Sequence, residues 1–86
     1  MSTLKDVVKR MPYKEFKAKV EENVVPTVEF KKCYKGAASS LTESEKRRLI
    51  SLIVFNLGMK MSISEITNDD LNSFVIATSW RATFHK

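Results

Sequence analysis

The chain has 86 residues, enough for one domain with a modest core, since a chain of about this length buries roughly 60 to 65% of its unfolded surface. A hydrophobic fraction of 43% and a well-mixed charged fraction of 29% exclude a disordered tail, and the longest apolar stretch, 49 to 61, falls short of the roughly 20 residues of a membrane span. The net charge of +5 is lopsided: nine of fifteen bases (Lys5, Lys9, Arg10, Lys14, Lys17, Lys19, Lys31, Lys32, Lys35) fall in the first 35 positions, leaving +4 there and +1 over residues 36 to 86, a distribution that attracts polyanions or acidic partner surfaces.

In chain order, Thr3 and Asp6 have the spacing of a helix start, and Leu4, Val7, Val8 and Met11 continue on one helical face. Pro12 interrupts that helix and suits the first position of another, on which Tyr13, Phe16, Val20 and Val24 form a second apolar stripe. Residues 3 to 24 therefore read as two helical pieces joined by a kink. Lys5 and Lys9 are i, i+4 neighbours, as are Arg10 and Lys14, so these bases share faces turned away from the apolar stripes.

Residues 25 to 36 fit two periods. Val28 and Phe30 begin a strand-like alternation, whereas Phe30, Cys33, Tyr34, Ala37 and Ala38 match a helical face. The helical reading starts at Pro26 and ends at Gly36 as a left-handed cap, with Lys31, Lys32 and Lys35 near the negative end of the dipole. The sequence Leu41-Thr42-Glu43-Ser44-Glu45 carries a capping box, Thr42 with Glu45, and predicts a central helix over 43 to 57 stopped by Gly58. Leu49, Ile50, Leu52, Ile53, Val54, Phe55 and Leu57 point in nearly every direction, so this helix is expected to be buried all round.

The stretches Ser62-Ile63-Ser64-Glu65 and Thr67-Asn68-Asp69-Asp70 predict a brief turn and a last helix from near residue 68. On that helix Leu71, Phe74, Val75, Thr78 and Ala82 lie on one side and Ile76, Trp80 and Phe84 on the other. Two apolar faces require two partners. The alternative is a strand over 74 to 84 paired with 27 to 34, which makes the domain α+β. The fold expected is mainly α, a single small domain of four to five helices comprising basic N-terminal helices 3 to 35, the buried central helix and a C-terminal element 68 to 84.

The residues that carry chemistry point away from catalysis. The only histidine, His85, is next to last, and Cys33, the only cysteine, sits in an apolar stripe. Asp69-Asp70 and Glu43 with Glu45 are explained as first-turn acids that offset helix dipoles. There is no metal-ligand spacing, and two glycines make no phosphate-cradling loop. No catalytic residue, metal or cofactor is expected. One cysteine forms no internal disulfide, and the N-terminus has no apolar signal core, so a cytoplasmic setting is the expectation.

Nucleic-acid binding suits the chain better. Lys9, Arg10, Lys14 and Lys17 bracket Tyr13, Lys31, Lys32 and Lys35 bracket Tyr34, and Lys5, Arg47 and Arg48 extend the cationic set. Bases neutralise phosphates while aromatic rings, Trp80 among them, stack on unpaired bases. Lys46, Arg47 and Arg48 stand in the first turns of a helix, against its dipole, which favours an anion contact. The expected function is a small basic regulator or inhibitor that binds RNA or another nucleic acid. The alternative is a protein-only modulator that docks on a partner protein, or on a second copy, through Ile76, Trp80 and Phe84, with Asn56 as a possible register-setting residue in an oligomer. No membrane and no small-molecule substrate are indicated. In style, a short chain bearing lysine, serine and asparagine and no catalytic set resembles the small accessory proteins of large DNA phages, a resemblance that rests on no particular motif.

Overall fold

The structure, a computed structural model, describes residues 4–60 and 62–84, with side chains through Ala82. Thr3, expected to start the first helix, His85 and the side chain of Phe84 lie outside the described residues. The elements in order are α1 (Leu4–Arg10), α2 (Tyr13–Phe16) running into a π-helical turn (Lys17–Glu21), α3 (Val28–Gly36), a 3₁₀ turn (Ala38–Ser40), α4 (Glu43–Leu57), a second 3₁₀ turn (Ile63–Glu65) and α5 (Asn68–Phe84). Among the described residues there is no strand, and both ambiguous stretches, 27–34 and 74–84, are helical apart from the capping Thr27. The fold is mainly α.

Pro12, extended at φ −57° and ψ 146°, separates α1 from α2. Phe16, Val20 and Val24 follow at intervals of four, a spacing that drifts by about 40° per step on a regular α-helix. The wider π turn absorbs that drift: Glu22 N–H donates to Lys17 O at 2.9 Å and Val25 N–H to Val20 O at 3.0 Å. All three side chains are consequently fully buried.

Helix α3 corrects two expectations. It starts at Thr27, not Pro26, because the Thr27 hydroxyl accepts from Phe30 N–H at 3.2 Å and donates to Val24 O at 2.7 Å. Its left-handed residue is Ala37 (φ 69°, ψ 173°), not Gly36, which stays helical. Glycine at 36 answers a need for space: a Cβ there would lie 2.9 Å from Ser40 Cβ and Oγ. Ala37 occupies a region that L-residues avoid at a cost of about 1–3 kcal/mol. The turn around it is held by Ala37 N–H to Cys33 O at 2.8 Å, Ser40 Oγ to Ala37 O at 2.7 Å, and Ala38 N–H to Asn72 Oδ1 at 2.6 Å.

Helix α4 begins with the expected capping box, Glu45 N–H to Thr42 Oγ1 at 3.1 Å and Thr42 N–H to Glu45 Oε1 at 3.0 Å, and stops at left-handed Gly58. It is not buried all round. Leu49, Ile50 and Ile53 enter the core, whereas Phe55 is 82% exposed. Its main helical neighbours are α3, the π turn and the second 3₁₀ turn, and the side that carries Arg48, Ser51 and Phe55 is exposed. Asn56 is used within the chain, since its Oδ1 accepts from Asn23 Nδ2 at 3.2 Å and its Nδ2 donates to Leu52 O at 2.8 Å.

Helix α5 opens with reciprocal bonds between Thr67 and Asp70, both 3.1 Å. Leu71, Phe74, Val75, Thr78 and Ala82 face the core, and α1, α3 and the first 3₁₀ turn pack around that side. Side chains from every α-helix join one apolar cluster. The radius of gyration, 11.6 Å, is close to the ~12 Å expected for a chain of this length packed as one unit.

Candidate functional site

The basic residues read from the sequence are at the surface, but they do not form one sheet of charge. Lys5, Lys9 and Arg10 are exposed on α1, Lys14 on α2, Lys17 on the π turn, Lys31, Lys32 and Lys35 on α3, and Arg47 and Arg48 on α4. Helix α1 packs on α5, while α3 packs on α5 and α4, so the cations are distributed over separate parts of the surface. Several are tied to acids. Lys32 Nζ lies 2.5 Å from Glu45 Oε2 and Arg48 Nη1 lies 3.0 Å from Glu29 Oε2, while Lys46 Nζ lies 3.8 Å from Glu43 Oε1 and donates to the neutral Asn68 Oδ1 at 2.8 Å. Lys46 and Arg48 thus have structural partners that account for their place in the first turns of α4. The hydrogen bond from Lys32, then that from the Thr42 amide, holds the Glu45 carboxyl below the usual glutamate range.

Among the aromatic candidates, Tyr34 is 62% exposed on α3, one turn from Lys31 and beside Lys35, while Tyr13 is 38% exposed and packs on Phe16 with ring centroids 6.3 Å apart. Ile76 and Trp80 stand out from α5, 66% and 62% exposed, on the face opposite Leu71, Phe74 and Val75. Helix α1 packs on α5 without covering them.

The arrangement brings together residues that the sequence assigned to rival surfaces. Lys5 and Lys9 of α1 and Ser73, Ile76, Ala77 and Trp80 of α5 line one open groove of about 750 Å³. Its floor is apolar, its α1 wall is cationic, and no acid lines it among the described residues. At one end lies Arg81, which the sequence reading did not single out. Its Nη1 donates to Val8 O and its Nη2 to Met11 O, and its guanidinium carbon sits 4.5 Å from the centre of the Phe16 ring. Carbonyls at a helix C-terminus lack intrahelical donors and carry the negative end of the dipole, so a forked cation suits that position. Arg81 fastens α1 to α5 and thereby sets Lys5 and Lys9 beside Trp80. No local pattern identifies this role, because its partners are 73 and 70 residues away.

The remaining surface features are chemically different. Phe55, Val54, Met59 and Ile63 line a second apolar depression with no charged residue among the described ones, and Lys46 and Arg47 share a third with Glu43. Cys33 is buried 4.0 Å from Asn72 Oδ1, and burial pushes its thiol pKa up. Among the described residues no three His, Cys, Asp or Glu side chains are grouped to hold a metal ion, and no helix is long and apolar enough to cross a membrane.

Comparison with protein-family models, with curated proteins and with solved structures finds no match to this chain.

Proposed function

We propose that this chain is a small non-catalytic binding protein that holds RNA or another nucleic acid on the cationic surface of its N-terminal helices, in a regulatory or inhibitory role. The observation that carries the reading is the exposure of Lys5, Lys9, Arg10, Lys14, Lys17, Lys31 and Lys35 while the ion pairs of the described residues take up other bases, Lys19, Lys32, Lys46 and Arg48. Exposed lysines and arginines release counterions when they meet phosphates, and that release supplies most of the affinity of non-specific binding.

The test is a filter-binding series with an RNA oligonucleotide between about 50 and 200 mM salt. The expected result is measurable binding at the low end and a loss of affinity on the order of 10²-fold or more across the range, for five or more phosphate contacts. Absence of binding at about 50 mM salt refutes the reading. The competing reading, a modulator that docks on a partner protein, draws on the exposure of Ile76 and Trp80. A pull-down from which Trp80→Ala removes a partner, with no nucleic acid bound by the parent protein, supports that reading instead.

A further inference from the structure

We propose that the groove between α1 and α5 is a subsite for single-stranded nucleic acid, in which Trp80 stacks on an unpaired base and Lys5 and Lys9 hold the adjoining phosphates. This rests on the nucleic-acid reading above and adds to it a place and a preference for unpaired strands.

Three features of the groove select this occupant. The first is the combination of a flat aromatic side chain, 62% exposed, with three cations, Lys5, Lys9 and Arg81, and no acid among the described residues of the lining. A single strand presents both halves of that match, π-faces and regularly placed negative charge. The second is spacing. Lys5 and Lys9 are one helical turn apart, about 6 Å along the axis, near the separation of neighbouring phosphates on an extended strand. The third is the extent of the apolar floor. Ile76, Ala77 and Trp80 span little more than one turn of α5. That floor accommodates a base or two, whereas an acidic amphipathic helix requires anchors repeated at i, i+3 or i+4, and i+7.

Ser73, one turn before Ile76 and Ala77, places a hydroxyl at the same groove for a base edge or phosphate oxygen. Arg81 adds its charge to the local potential while its fork remains occupied by the Val8 and Met11 carbonyls. A duplex meets the lysines equally well but keeps its base faces stacked, so it gains nothing from the indole. The groove therefore discriminates between strands through Trp80 and sets affinity through the lysines.

Trp80 is the only tryptophan of the chain, which makes its emission a direct reporter of the groove. The experiment titrates the full-length protein, at about 50 mM salt, with oligouridylate of about 12 nucleotides and with a duplex of the same length. Saturable quenching by the single strand is expected, with weaker binding and little quenching for the duplex. Trp80→Ala should weaken single-strand binding about 5- to 100-fold, with duplex affinity nearly unchanged. Trp80→Phe should retain most of the affinity, and circular dichroism should show both variants folded. Lys5→Ala with Lys9→Ala should reduce the salt slope for the single strand by about 1.4.

Single-strand binding that leaves emission unchanged and is indifferent to Trp80→Ala overturns the subsite and leaves the wider nucleic-acid reading standing. Equal loss of duplex and single-strand affinity in Trp80→Ala overturns the strand preference. Absence of binding to either probe overturns both readings. Quenching by an acidic amphipathic peptide but not by oligouridylate assigns the groove to a protein partner and overturns the proposal.

Discussion

Arg81 fastens α1 to α5, and Asn72, nine residues earlier on α5, fastens the corner that follows α3. Arg81 makes a forked, charged pair of bonds to carbonyls at the end of a helix. Asn72 Oδ1 accepts neutral bonds, from the amide of Ala38 at 2.6 Å, next to the left-handed Ala37, and from the Cys33 thiol at 4.0 Å. One attachment neutralises the negative end of a short helix; the other steadies a strained backbone. A seven-residue helix such as α1 is too short to persist alone, so its presence depends on what holds it. The candidate groove consequently depends on the first attachment and not on the second.

The largest effect is therefore expected at Arg81. Arg81→Ala should lower the unfolding free energy by about 3 kcal/mol, since each bond donated by a charged group contributes about 1.5–3 kcal/mol and the buried Phe16 ring loses its cation. Arg81→Lys should recover less than half of that loss, because an ammonium cannot reproduce the fork. Urea unfolding of the three proteins measures both values, and a loss below about 0.5 kcal/mol for Arg81→Ala breaks the distinction between the two attachments.

At the other attachment the effects are smaller, and the two substitutions act in opposite directions. Asn72→Ala should cost about 1–2 kcal/mol by leaving the Ala38 amide without its acceptor. Ala37→Gly should stabilise by about 1 kcal/mol, because glycine occupies that backbone region without strain. The same unfolding experiment decides, and destabilisation by Ala37→Gly contradicts the account of the corner.

The smallest effect is pH-dependent and belongs to neither attachment. The Glu45 carboxyl is held below its usual range by Lys32 and by the Thr42 amide, so its contribution is fully present above the ordinary glutamate pKa, about 4.3. It is lost as the pH falls through that value toward the lower one of the folded protein. Glu45→Gln should flatten the fall in melting temperature between about pH 5 and 3, an effect that added salt diminishes because the pair is at the surface. An unchanged slope removes Glu45 from the acid sensitivity of the fold.

The starts of α4 and α5 and the stop of α4 were the most legible features. Thr42 with Glu45, Gly58, and Thr67 with Asp70 mark helix boundaries through bonds that span only a few residues, and their spacing alone predicts them. The two faces of α5 were legible for the same reason: Phe74 and Ile76 differ by two positions, hence by about 200° around the helix. Gly36 was misread because a glycine just before a turn has two explanations, positive φ or lack of room, and only the 2.9 Å approach of Ser40 shows that the second applies. Phe55 was misread because the pattern shows how many sides of a helix are apolar, not how many neighbours the chain can supply.

By itself the sequence favoured the helical class over an α+β alternative, and it determined the starts of α4 and α5, the cationic bias of the first 35 residues and the presence of two apolar faces on α5. Those features follow from periodicity, capping and charge, which act over one or two turns. Only the tertiary structure decided that Lys5 and Lys9 share a groove with Ile76 and Trp80, because it turns on the docking of α1 and on a clamp from Arg81 to Val8 across 73 residues. Contacts at that separation depend on which helices pack together, and hydrophobic burial, being non-directional, leaves no spacing in the sequence from which to read the pairing.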